Sequence, residues 1–219
     1  MFSLSLIMLE EIILSAGEAE DSNAVLEISL KIAKIFQAKG ENKKAEQGFN
    51  YCVDKQRRKL TDVSNHDEDS VALLGMSLDW QAQFYLSLNN LTKAEAVWRE
   101  ALEVGKMLHG EDDEQILVVT NSLATVISMQ EGRETEAAII LEDLVTRAGK
   151  INSSLMTTFL VNLGLVRMKQ GLFDIARSKC EGARRMAETA GDQEVSQEAE
   201  NCLDQVKAVM AASANIRNR

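Results

Sequence analysis

The 219-residue chain has no proline, two histidines, three cysteines and only 5% aromatic residues. Each shortage excludes something. Without proline, no helix is broken by a missing amide proton or a fixed backbone angle. With histidine only at His66, in the polar run TDVSNHDEDS, and at His109, beside Gly110, neither imidazole adjoins a nucleophile in sequence. Ser-His-Asp or Cys-His chemistry therefore has no visible basis, and catalysis is not expected. Cys52, Cys180 and Cys202 are odd in number and lack C-x-x-C spacing, which suggests neither a disulfide framework nor a zinc site. Cys52 and Cys180 fall where a thiol serves as a small apolar side chain, and a reducing compartment fits best. The acidic pairs Asp112-Asp113 and Glu18-Glu20 lack a metal-binding context and read as solvated helix starts. No glycine-rich loop is present to cradle a phosphate, so no cofactor or metal is expected.

A basic excess is also missing. The net charge of -10 argues against binding through nucleic-acid phosphates or anionic lipid, and points to basic or apolar peptide partners. Residues 1–14, MFSLSLIMLEEIIL, are interrupted by Glu10 and Glu11, and the first basic residue is Lys31. A presequence needs early positive charge and a membrane span needs roughly 20 apolar residues. With Leu6, Leu9, Ile13 and Leu14 on one stripe and Gly17 following, residues 1–20 read as the second helix of an incomplete repeat. The expectation is that the chain begins inside a repeat and that the natural protein, or another isoform, is longer.

What the chain does contain is a recurrent helical pattern. Ala, Leu, Glu and Lys are frequent and 45% of residues are apolar, enough for a continuous core. In LLGMSLDWQAQFYLSLNNLTKAEAVWREA, Ala82 and Tyr85 precede a polar break at Asn89-Asn90, and Ala94, Trp98 and Ala101 follow. This is the tetratricopeptide arrangement, in which an aromatic on a second helix fills the space left by small residues between paired helices. Related sets are Ala33, Phe36, Gly40, Ala45, Phe49, Cys52; then Asn121, Leu123, Ala124, Ile127, Gly132, Ala137, Leu141, Leu144; then Leu163, Gly164, Gly171, Phe173, Ala176, Cys180, Ala183. Arg167 stands where an aromatic or Leu is usual. Thirteen steps separate Ala124 from Ala137 where other units have twelve, which predicts an extra residue near Met129 to Glu131.

The second-helix alanines Ala45, Ala94, Ala137 and Ala176 are 49, 43 and 39 residues apart, longer than the roughly 34 of the ordinary repeat. The expected fold is an all-α tetratricopeptide-type α-solenoid of antiparallel helix pairs with long repeats. Four repeats occupy 21–191, a capping helix with Val195, Ala199, Cys202, Val206 and Met210 on one stripe occupies 192–212, and 213–219 form a disordered tail.

The segments VLEISLKIAKIF, LLGMSLD, ALEVGKMLHG and NSLATVISMQEGRETEA, in that order, resemble the tetratricopeptide repeat protein 19 family. The resemblance covers about residues 8–205. It implies a non-catalytic scaffold of the mitochondrial inner membrane that supports respiratory complex III by helping clear fragments of the Rieske subunit. The long repeat is also similar to kinesin light chains, which implies the alternative of a cytosolic peptide or cargo adaptor. Those proteins usually carry His-Pro in the loop where this chain has Asp113-Glu114.

In such a fold the first helices line a concave groove. The register assigns to it Glu27, Leu30, Lys34 and Gln37, then Met76, Asp79, Gln83 and Leu86, then Val118, Asn121 and Thr125, and finally Thr158, Val161, Leu165 and Met168. This mixed apolar and amide lining suits an extended or helical peptide.

Overall fold

A computed structural model describes residues 21–61, 67–151 and 153–217, together with 15, 17 and 19. The incomplete N-terminal helix expected over 1–20 lies almost wholly outside the described residues, as does His66. Nine helices and no strand are found among those described. They are α1 (Asn23–Ala38), α2 (Asn42–Thr61), α3 (Glu68–Ser87), α4 (Leu91–Leu108), α5 (Glu114–Ser128), α6 (Glu134–Lys150), α7 (Met156–Lys169), α8 (Phe173–Ala190) and α9 (Gln193–Arg217). They fall into two units, divided after Gly110.

Helix ends follow local chemistry. Ser22, Asp67, Asn90 and Asp113 each accept a hydrogen bond from a first-turn amide, the usual device for satisfying helix N-termini. Asp113 is thus spent as a cap. Asp112 pairs with Arg147 at 2.9 Å. Gly40 and Gly171 take left-handed backbone angles in the turns after α1 and α7, where a Cβ would be strained. The α1/α2, α3/α4 and α7/α8 turns each have three residues, whereas α5 and α6 are joined by the five residues 129–133. The longer turn lies where the sequence spacing located it.

In the first unit α1 to α4 pack pairwise. Phe49 and Phe84 meet at 5.3 Å between ring centres, and Trp98 is 2% exposed. Small residues set the closest approach: a Cβ on Gly48 would lie 2.8 Å from that of Ala33. Cys52 is buried as expected, its thiol 3.6 Å from the Leu26 carbonyl.

In the second unit α5 to α8 form two further pairs, and α9 packs on α8 and α7. Ala199, Cys202, Leu203 and Val206 enter the core, while Val195 and Met210 are half-buried. Helix α9 also continues to Arg217, so the backbone of 213–217, expected to be disordered, is helical. Its Ala-Ser-Ala-Asn segment contains no helix breaker.

The cysteine reading needs correction. Cys180 on α8 and Cys202 on α9 are joined by a disulfide. Neither the odd count nor the missing C-x-x-C spacing could reveal it, because the two residues meet only when α8 and α9 pair. The argument for a reducing compartment loses its premise.

Tyr85 and Arg167 illustrate one structural role filled by different chemistry. The Tyr85 hydroxyl on α3 donates to Glu46 on α2 at 3.1 Å. The Arg167 guanidinium on α7 donates to Glu142 on α6. Arg167 therefore replaces the usual aromatic with an ion pair to the preceding helix, which explains how the unusual residue is accommodated.

The Glu46 carboxylate also receives Lys93 at 3.1 Å. That bond and the one from Tyr85 hold its pKa below 4.5 against some desolvation. Burial, reinforced by Glu46, raises the Tyr85 phenol above 10. The signs are opposite. The depressed Glu46 contributes stability present above its ordinary pKa and lost as pH falls through the folded value; the raised Tyr85 contributes stability present below pH 10 and lost as pH rises through its folded value. A Tyr85→Phe variant should therefore show a shallower loss of melting temperature above pH 10 than the parent. Parallel alkaline profiles would refute the assignment.

Candidate functional site

Within the second unit, α5 and α7 present residues to one shallow recess of about 190 Å³, to which α9 contributes Gln205. Thr125, Ser128 and Met129 come from the α5 end, and Asn162, Leu165, Met168 and Lys169 from α7. The Asn162 amide donates to the Asn121 side-chain oxygen at 2.8 Å, linking α7 to α5. Thr125 donates to the Asn121 carbonyl at 2.8 Å, and Lys169 donates to the Ser128 carbonyl at 2.9 Å. The lysine thereby satisfies a carbonyl in the last turn of α5. Met129 is 45% exposed at the recess. Apolar side chains beside amides form a surface that can take up a side chain while hydrogen-bonding a main chain.

The expected groove residues of this unit separate clearly. Thr125, Leu165 and Met168 line the recess, Asn121 reaches it through Asn162, Val118 is exposed on α5, and Thr158 is half-buried on α7. Val161 is a correction: it is 4% exposed and belongs to the core cluster with Leu160 and Cys180. One residue along a helix turns the side chain by about 100°, and its neighbour Asn162 faces the recess. Asn162 and Lys169 were missed. The α5-to-α7 spacing that pairs Asn162 with Asn121 was the available signal.

In the first unit Leu30 is corrected for the same reason, being fully buried between its exposed neighbours Glu27 and Lys31, which pair at 2.7 Å. Lys34 and Gln37 line a recess of about 480 Å³ with Ala38, Asn42, Ser87 and Leu88. Lys34 also lies over the Trp80 ring at 5.3 Å, a cation–π contact that was not foreseen. Asp79 is engaged internally, accepting from the Trp98 indole at 2.9 Å and from Gln83 at 2.7 Å. Met76 and Leu86 are half-buried.

Among the described residues, no group of three or more His, Cys, Asp or Glu side chains is arranged to hold a metal. His109 ends α4, its backbone amide donating to the Gly105 carbonyl at 2.9 Å. No described helix is long and apolar enough to cross a membrane.

No protein-family model matches the chain. Two solved structures show the fold. The crystal structure of BtubC (BKLC) from P. vanneervenii aligns with 97% of this chain and 91% of its own at a TM-score of 0.66 and 19% identity. A Podosopora anserina protein described as a putative kinesin light chain with nearly identical TPR-like repeats aligns with 90% of this chain and 99% of its own, at a TM-score of 0.61 and 17% identity. These likenesses identify an all-α tetratricopeptide-type solenoid fold. Among curated proteins, human "Tetratricopeptide repeat protein 19, mitochondrial" is 28% identical over 190 residues, covering 83% of this chain and 50% of the relative. The Danio rerio protein of the same name is 34% identical over 141 residues, covering 60% of this chain and 35% of the relative. The chain thus spans half or less of the length of these relatives. Over most of its length the chain is thus similar to tetratricopeptide repeat protein 19 sequences from several animals.

Proposed function

We propose that this chain is the non-catalytic interaction module of a mitochondrial inner-membrane factor that supports respiratory complex III by helping clear Rieske subunit fragments. The carrying observation is the similarity to tetratricopeptide repeat protein 19 across most of the chain. The recess between α5 and α7 supports a peptide-binding role, since it combines exposed Met129 with the amides of Asn162 and Gln205. An extended fragment would place an apolar side chain against Met129 and Leu165 and its main chain beside the amides. Thr125, Leu165 and Met168 act here as binding groups, and none has a chemical step assigned.

Native-gel co-migration of the tagged full-length gene product with complex III, from solubilised mitochondrial membranes, tests the reading. Met129→Glu should reduce co-migration several-fold with an unchanged helical spectrum, because Met129 is exposed and a charge there opposes apolar docking. A full-length protein found only in the cytosol would overturn the mitochondrial assignment and favour a cargo adaptor. Undiminished co-migration of Met129→Glu would remove this recess from the site.

A further inference from the structure

Helix α9 packs on α8 and α7, and its core face consists of Ala199, Cys202, Leu203 and Val206. Two of these four side chains are small, so the apolar area that holds the helix is modest. The ion pair between Arg184 on α8 and Glu200 on α9, at 3.2 Å, is 39% and 37% exposed and adds little. The covalent tie between the two helices is the Cys180–Cys202 disulfide, which joins residues 22 apart in the chain.

This disulfide lies directly behind the recess between α5 and α7. A Cβ added to Gly164 of α7 would meet both sulfurs, which places them against that helix. Its neighbour Leu165 packs against the core cluster that contains Cys180 and Cys202, and also lines the recess. On α9, Gln205 lines the same recess three residues, or about one turn, after Cys202. Whatever fixes α9 at Cys202 therefore fixes the recess wall at Gln205.

From this juxtaposition we propose that the Cys180–Cys202 pair is a redox latch. As a disulfide it holds α9 in place and keeps the recess walled; as two thiols it lets α9 undock and opens the recess at that end. The reductant is a small-molecule thiol of the glutathione type. Its thiolate attacks one cysteine sulfur, the S–S bond breaks, and the other cysteine leaves as a thiolate that takes up a proton. A second thiol then displaces the protein sulfur from the mixed disulfide. Two protein thiols and one small-molecule disulfide result, so two electrons have passed to the protein. The reverse exchange, with that disulfide as oxidant, closes the latch. Cys180 is fully buried and Cys202 is 1% exposed, so attack requires α9 to move first. As the last helix of the array, α9 can open while the α5/α6 and α7/α8 pairs keep their own contacts. The latch regulates the recess assigned to the complex III reading, so its function rests on that reading, but the bond and the movement are read without any ligand.

Intact mass tests the bond. Full chain equilibrated with glutathione disulfide and then unfolded in an alkylating reagent should carry one adduct, on Cys52, whereas chain reduced with dithiothreitol should carry three. Hydrogen–deuterium exchange tests the movement. Amides of α9 should exchange about tenfold faster after reduction while α1 to α6 are unchanged, a factor below the full loop-closure effect because α8 stays helical. The rate of native reduction should reach a plateau as thiol concentration rises, because α9 opening limits it. Cys180→Ala with Cys202→Ala should exchange like the reduced chain and be indifferent to dithiothreitol. Three adducts without dithiothreitol, or equal α9 exchange in the two states, would overturn the proposal. Reduction only in step with loss of the second unit's helical signal would do the same, by making the bond a fixed staple. None of these results bears on co-migration with complex III, whereas a cytosolic protein whose α9 still responds to thiol would remove only the complex III reading.

Discussion

Gly164→Ala is expected to lower the stability of the second unit by about 2 to 4 kcal/mol, the upper range for forcing a methyl group into a close-packed core. Helix propensity alone predicts the opposite sign, because alanine is favoured over glycine in a helix interior by about 1 kcal/mol. Packing decides the outcome. An alanine Cβ would overlap Cys180 Sγ and lie 3.2 Å from the Ala176 carbonyl oxygen and 3.3 Å from Cys202 Sγ. The first atom belongs to a disulfide that ties α8 to α9, and the second to helical backbone, so neither yields as a flexible side-chain end would. Thermal unfolding followed by far-UV circular dichroism checks this. Both tryptophans lie in the first unit, so their emission separates its unfolding from that of the second. An unchanged or raised circular-dichroism transition would show that α7 and α8 are further apart than described.

The same small-residue contact shows what could be read from sequence. Gly164, Ala176 and Cys180 were found through their spacing, because close helix pairing requires small residues at repeated positions regardless of their partners. The disulfide could not be found that way. It depends on Cys202, on the next helix, reaching the α7/α8 contact. Similarly, the exposed stripe of α7 was approximately legible from its period, but Val161 and Asn162 differ by only one residue. Choosing between them requires the helix rotation, which is set by packing against α6, α8 and α9. The recess at Lys34 was visible as a lysine and a glutamine. Their significance depends on Trp80 and Ser87, about 50 residues away on α3.

The first unit contains a polar side chain whose removal should help. Gln56 on α2 is fully buried, and neither its amide nitrogen nor its amide oxygen has a hydrogen-bond partner among the described residues. A buried unsatisfied polar group costs about 1 to 3 kcal/mol, and glutamine contributes one donor group and one acceptor. Methionine has nearly the same length and no rigid branch, so it can occupy the same space without the desolvation penalty. Gln56→Met should therefore stabilise the first unit by about 2 kcal/mol, raising the midpoint of urea unfolding monitored by tryptophan emission. Gln56→Ala supplies the control. It removes the same polar atoms but leaves a cavity, so it should fall well below Gln56→Met. If methionine lowered the midpoint instead, the amide would be acting as a hydrogen-bonded part of the core, and its burial would be a specific anchor for α2.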